Sequence, residues 1–81
     1  MSKLTIHSFP KGDNEEVRVS AGEYREKIYF DVRVFFKNEE NNEMFPTKKG
    51  ITLALDLLPE LKKGLQKIEA ENLKNKNFQK T

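Results

Sequence analysis

The amino-acid sequence predicts an α+β fold: a four-stranded antiparallel sheet followed by one C-terminal helix, in the order β-β-β-β-α. Three observations carry that expectation. The stretch KIYFDVRVFFK, residues 27–37, alternates strictly. Ile28, Phe30, Val32 and Val34 fall on one face, and Lys27, Tyr29, Asp31, Arg33 and Phe35 on the other, in a β-branched and aromatic composition that suits a pleated strand. Shorter alternating stretches stand on either side of it. After Leu53 the apolar period lengthens from two to about 3.6 residues, and Leu57, Leu58, Leu61, Leu65 and Ile68 recur along one helical face.

The first strand is expected in KLTIHSF, residues 3–9, where Leu4, Ile6 and Ser8 alternate against Lys3, Thr5 and His7. Pro10, Gly12, Asp13 and Asn14 then supply turn chemistry. EEVRVS sets Val17 and Val19 against Arg18 and Ser20 and continues towards Tyr24, with a tight connection between Gly22 and Glu26. KNEENNE, residues 37–43, reads as an exposed loop in which Glu39, Glu40 and Glu43 are solvated. A fourth strand is expected from Lys48 to Leu53, with Pro46 restricted to a strand start or an edge and Gly50 marking a kink or a close approach by another backbone. Asp56 stands where a helix N-cap is wanted, which puts Pro59 in the first turn, where a missing amide hydrogen costs nothing. Gly64 lies mid-helix, at a cost of about 1 kcal/mol relative to alanine. The stretch NLKNKNFQKT sustains no period, so residues 1–71 read as a single domain and 72–81 as a flexible basic tail.

A chain of 81 residues that is 36% apolar is one small domain and buries only roughly 60% of the surface its unfolded form exposes. It has no cysteine, so neither disulfides nor thiolate metal sites supplement the core, and association with a second copy is the remaining route. Geometry favours that route. Four strands at about 4.8 Å spacing make a sheet wider than one helix of about 10 Å can cover. Ile28, Phe30, Val32, Val34, Val17, Val19, Ile51 and Leu53 all need burial, and a symmetric homodimer would cover what the helix leaves wet. The net charge of +2 says little, because the tail carries Lys74, Lys76 and Lys80 without an acid. The body then holds 12 bases against 13 acids, so any polyanion must be met by segregated charge. Without an apolar leader or a long apolar run, the chain is expected to be soluble and intracellular.

Catalysis and metal binding find little support. His7 is the single imidazole and reads as an exposed strand-end residue. No G-x-S-x-G elbow, phosphate-binding glycine loop or dinucleotide fingerprint is present, and the carboxylates Glu15 and Glu16 sit in turns with nothing apolar to shift them. The expectation is no enzyme, no metal and no cofactor. What recurs is the combination of bases with rings: Arg18, Tyr24, Arg25, Lys27, Tyr29, Arg33, Phe35, Phe36, Lys37, Phe45, Lys48 and Lys49. Single-stranded nucleic acid asks for that combination, since bases stack on rings for about 1 to 3 kcal/mol each while lysine and arginine neutralise phosphates. Duplex DNA asks for a recognition helix, and the one helix here needs its apolar face for the core. A protein-interaction module and an RNA binder remain open alternatives on the residues alone.

Three ordered blocks carry a resemblance. V-x-V-S at Val17 to Ser20, K-[IV]-x-[IF]-D-[VI]-R read as KIYFDVR, and E-M-x-P-x-[KR]-K-G-I-[ST]-L read as EMFPTKKGITL resemble the positive cofactor 4 family of transcriptional coactivators over residues 17–65. The resemblance implies a homodimer of β-β-β-β-α protomers, with the helices and their Leu58, Leu61, Leu65 and Ile68 helping to form the interface and with curved sheets that bind single-stranded or unwound DNA without strong sequence preference, in transcription, replication or recombination. Polymerase or recombination proteins are its implied protein partners. Position by position it implies stacking on Tyr24 with Arg25 and Lys27 as flanking bases, Arg33 as the strand arginine, Phe36 as a second stacking ring, and Lys48 and Lys49 as the basic pair before the glycine. Arg18 and Lys37 complete the nucleic-acid-binding set. Placing Phe36 with the stacking residues requires the period-two pattern to break between Phe35 and Phe36. Phe45 departs from the family pattern by standing where a base is usual, and Gly22 by standing where some relatives carry arginine. The serine-rich N-terminal region of the eukaryotic members has no counterpart in the sequence, so a minimal bacterial or phage form is the expectation, in the cytoplasm or nucleoid of a bacterium or phage-infected host.

Overall fold

The computed structural model describes residues 2–71 and 73. Its chain folds as successive hairpins because each alternating stretch is followed by a short polar turn. Strand β1 (Ser2–Gly12) pairs antiparallel with β2 (Glu15–Tyr24), β2 with β3 (Lys27–Lys37), and β3 with β4 (Met44–Ala54). The result is an open four-stranded sheet in sequential order, followed by a 3-10 turn (Leu55–Leu57) and helix α1 (Leu58–Ala70). No helix among the described residues is long and apolar enough to cross a membrane.

Strand β3 has the bounds its alternation predicts. The outer strands are longer than expected, and both are irregular. Strand β1 runs through Pro10 to Gly12 and bulges at Thr5/His7 and again at Pro10/Gly12. Strand β4 begins at Met44, four residues before Lys48, and its register shifts opposite Arg33/Phe35. A proline and a bulge on each edge blunt the unpaired backbone rows that would otherwise template another strand. The bulge at Ile6 also reverses the sense of alternation in β1: Leu4 faces Ala21, but beyond the bulge His7 faces Val19 and Phe9 faces Val17. His7 is exposed, as expected, yet lies mid-strand with its ring 5.9 Å from that of Phe9.

The expected connection from Gly22 to Glu26 is tighter than the sequence suggests. Gly22 remains in β2 opposite Tyr29, and the turn is only Arg25 and Glu26, both at positive φ (51° and 66°). This is the two-residue geometry that matches strand twist, here without the asparagine and glycine that favour it. The loop 38–43 is held by backbone bonds from Asn38 to Glu43 and from Asn42 to Asn38. Within it Glu39 accepts a hydrogen bond from the Asn14 amide at 2.8 Å, so it is tied to the β1–β2 turn and not merely solvated.

Asp56 does not cap the helix. It lies inside the 3-10 turn, the N-cap position is Leu57 without a side-chain cap, and Pro59 occupies the first turn as predicted. Among the described residues, no atom outside the helix's own backbone and the neighbouring residues lies within 4 Å of the place a Cβ would take at Gly64, so packing within the protomer does not require a glycine there.

Burial departs most from the expected core. Phe30 and Val34 are the buried apolar side chains among the described residues. Val32, Leu58 and Leu61 are half-buried, whereas Ile28, Leu65 and Ile68 are about half exposed. The cause is geometric: the 3-10 turn docks on β3, while α1 meets the strands only peripherally.

Candidate nucleic-acid interface

Register assigns the faces. Residues opposite one another in an antiparallel sheet share a face, so the odd positions of β3 are joined by rows across the sheet. One row is Lys3, Gly22, Tyr29 and Ala54; the next is Thr5, Ser20, Asp31 and Thr52; the third is Ser8, Arg18, Arg33 and Gly50; the fourth is Pro10, Glu16, Phe35 and Pro46. Tyr24 and Lys27 close the same face at the hairpin, and Lys37 with Met44 ends it. The opposite face carries Phe30, Val32 and Val34 with Val17, Val19, Ile51 and Leu53.

The charged face is built around Asp31, which is 4% exposed. Arg33 grips it with both ends of its fork, Nε to Oδ2 at 3.1 Å and Nη2 to Oδ1 at 2.9 Å. The Thr52 hydroxyl also donates to Oδ1, and Lys3 Nζ stands 3.7 Å from Oδ2. Burial works to raise the carboxyl, but the hydrogen bonds from Arg33 and Thr52, with the charges of Arg33 and Lys3, outweigh it and hold Asp31 below the ordinary value of 3.8. The same bond holds the Arg33 guanidinium above its ordinary range. Arg33 Nη1 donates to the Thr47 carbonyl at 2.9 Å and Nη2 also reaches the Thr52 hydroxyl at 3.3 Å. Four of the five guanidinium N–H donors are thereby engaged within the protein. The close approach expected at Gly50 sits beside this network: a Cβ there would lie 2.6 Å from the Val32 carbonyl oxygen and 2.8 Å from Arg33 Cα.

Rings on this face are partnered by guanidinium groups. Arg18 stacks over Phe35 at 4.4 Å from the ring centroid while its Nε donates to Glu16. Arg25, displaced into the turn, lies 5.1 Å over the Tyr24 ring. Such pairs place a planar cation over one face of each ring. Among the described residues, none of Lys27, Lys37, Lys48 and Lys49 forms an ion pair, so their ammonium groups are available to an anion.

Of the residues singled out in the sequence, Arg18, Tyr24, Lys27, Arg33 and Lys37 share this face, Arg25 borders it from the turn, and Lys48 and Lys49 lie exposed in the irregular stretch of β4 opposite Val34. Phe36 does not join them by a break in alternation. It keeps register with Glu15 on one side and Phe45 on the other. The irregularity is in β4, so Phe36 and Phe45, both nearly half exposed, form a pair on the side of Val34. Residues that pattern alone left unassigned are Asp31, Thr47 and Thr52, whose convergence on Arg33 depends on register. Tyr29 and Phe35 also stand on this face, and their odd positions in the alternation were the signal.

A small open sheet of four meandering strands with one terminal helix, one face apolar and the other a mosaic of rings and cations, defines a sheet-faced binding protein. The chain matches the family model described as Transcriptional Coactivator p15 (PC4) over residues 10–64. A PC4 homologue from Burkholderia pseudomallei is similar in structure, with a TM-score of 0.77 and 30% identity covering 88% of this chain and 95% of that one. A second crystal form of that homologue gives 0.75 and 29%, covering 84% and 98%. A MoSub1–DNA complex shares the fold at a TM-score of 0.56 and 22% identity, covering 90% of each chain. Comparison with curated protein sequences gives no significant match. The chain belongs to the PC4 family, a family of transcriptional coactivators and not of enzymes.

Proposed function

We propose that this protein is a non-sequence-specific single-stranded DNA-binding protein that acts as a homodimer in transcription, replication or recombination. The observation that carries the reading is the joint placement of Tyr24, Tyr29 and Phe35 with Arg18, Lys27, Arg33 and Lys37 on one face of the sheet. The rings, with the guanidinium planes over Phe35 and Tyr24, offer stacking surfaces that serve unpaired bases and that a stacked duplex does not use, while the cations offer phosphate contacts. Family membership supports the same reading, as does the DNA held by the MoSub1 structure.

The dimer rests on exposed apolar surface. Ile28, Ile51, Leu65 and Ile68 are each about half exposed, more than a stable small domain leaves wet. A second copy presenting the same surfaces would cover both sheet and helix.

Fluorescence anisotropy with a labelled oligothymidine and a matched duplex tests the binding mode. Tighter binding of the single strand is expected, and equal affinity for the two would refute it. Sedimentation at micromolar concentration tests the dimer, which a clean species at the chain mass of 9.5 kDa would overturn.

A further inference from the structure

On the charged face a cavity of about 250 Å³ opens between the β2–β3 hairpin and the Asp31 network, and its walls include Lys3, Ser20, Gly22, Tyr24, Tyr29 and Asp31. We propose that this cavity receives one unpaired nucleobase of a bound single strand, with Tyr29 as a base-contacting residue beside Tyr24. The inference deepens the function proposed above and rests on it.

The row structure of the sheet creates the hollow. Tyr29 stands between Gly22, which has no side chain, and Ala54, which has only a methyl group, so its half-buried ring has room beside it on the sheet surface. Tyr24 at the hairpin supplies a second ring. The space is smaller than the range of about 300 to 1,000 Å³ that receives drug-sized molecules, and it suits a single flat ring system.

Its chemistry also fits. Asp31 is ionised at neutral pH, but Arg33, Thr52 and Lys3 occupy its oxygens, so the inner wall presents no unsatisfied anion to repel the phosphate that accompanies a base. Lys3, 41% exposed along its side chain, and Arg25 and Lys27 at the hairpin border the site with positive charge. A base held in a duplex has both faces stacked and its edge paired, and cannot enter without leaving the stack. The pocket therefore supplies a reason for single-strand preference that surface charge alone does not.

The sequence provides its own reporter, because it contains two tyrosines and no tryptophan. Tyr24→Phe keeps a ring at the hairpin and leaves Tyr29 as the only tyrosine emitter. Titration of that variant with oligothymidine should quench the Tyr29 emission in step with anisotropy-detected binding. Tyr29→Leu in the otherwise unaltered protein should weaken oligothymidine binding about tenfold while leaving the affinity for an abasic sugar-phosphate oligomer unchanged. If Tyr29→Leu fails to fold by circular dichroism, Gly22→Leu fills the cavity with both rings retained and should show the same selective loss. Unquenched Tyr29 emission at saturation, or wild-type affinity in the folded variant, overturns the pocket and leaves single-strand binding standing. Failure of the wild-type protein to bind oligothymidine at all overturns both.

Discussion

Gly50→Ala isolates the contact on which the registration of β4 depends. A Cβ at position 50 would stand 2.6 Å from the Val32 carbonyl oxygen, 2.8 Å from Arg33 Cα and 2.9 Å from Arg33 Cβ. Two of those three atoms are backbone of β3, which is bonded to strands on both sides and cannot retreat. Only the edge strand β4 can give, and restoring ordinary contact of about 3.5 Å requires it to move outward by about 0.9 Å. Overpacking of this kind costs about 1 to 3 kcal/mol, and stretching the adjacent ladder bond adds about 1 kcal/mol. Alanine recovers up to about 1 kcal/mol by restricting the unfolded chain. The net loss is about 2 kcal/mol, or a fall in Tm of about 8 to 16 °C for a domain of this size. Thermal melting followed by circular dichroism, at one fixed protein concentration because a dimer melts in a concentration-dependent way, measures it. A Tm within about 3 °C of wild type would refute the inference that β3 and β4 approach too closely at Gly50 for any side chain.

Three further outcomes follow from the charged face and its hairpin. Asp31→Asn should lower stability by about 2 to 3 kcal/mol at neutral pH, by leaving the Arg33 guanidinium half-buried without its counter-charge. Because the folded carboxyl lies below 3.8, its contribution is present above the unfolded value and is lost as pH falls through the lower folded value. The Tm difference between wild type and variant should thus be constant from pH 7 to about pH 5 and shrink below about pH 4; a difference that persists unchanged to pH 2 would contradict the ion pair. Replacing Arg25 and Glu26 together by asparagine and glycine should raise stability by about 1 kcal/mol, since both positions hold a left-handed backbone, and should weaken oligothymidine binding through loss of the Arg25 charge. Chemical denaturation and anisotropy on the same sample read both effects. Lys48→Ala with Lys49→Ala should reduce the slope of log affinity against log salt by about 1.4, at about 0.7 per neutralised phosphate, and an unchanged slope would remove these lysines from the phosphate path.

The parts of the fold that follow from strict periodicity were legible. Strand β3 is bounded as its alternation predicts, and the change of period after Leu53 is followed by a 3-10 turn and then the helix. What was not legible depends on pairing. Nothing in KLTIHSF marks Ile6 as a bulge, because the extra residue is defined by the partner strand and not by its own chemistry. Strand β4 starts early since Pro46, as an edge residue opposite Phe35, needs no ladder bond on its open side. The turn at Arg25 and Glu26 was obscured because neither residue favours positive φ. At the site, the rings and bases were visible in sequence, but Phe36 was placed by analogy where register puts it with Phe45. The network that orders Arg33 was invisible because Asp31, Thr47 and Thr52 meet only once β4 is aligned with β3.

That network bears on how a sheet with an acid at its centre can receive a polyanion. An isolated carboxylate among phosphates would oppose binding, yet Asp31 with Arg33 and Lys3 sums to one positive charge, and the carboxylate is the member hidden from solvent. Among the described residues Arg33 retains a single uncommitted N–H, so in the proposed function hydrogen bonding to phosphate falls chiefly to Lys27, Lys37, Lys48 and Lys49. Its fixed guanidinium contributes charge at a defined place, with its side-chain entropy already spent in folding. Lys27, Lys48 and Lys49 are exposed, and their long side chains suit a backbone of any sequence. In the proposed function, a fixed cation at the centre with further cations around it gives position without sequence readout, and the rings of Tyr24, Tyr29 and Phe35 favour a single strand over a duplex.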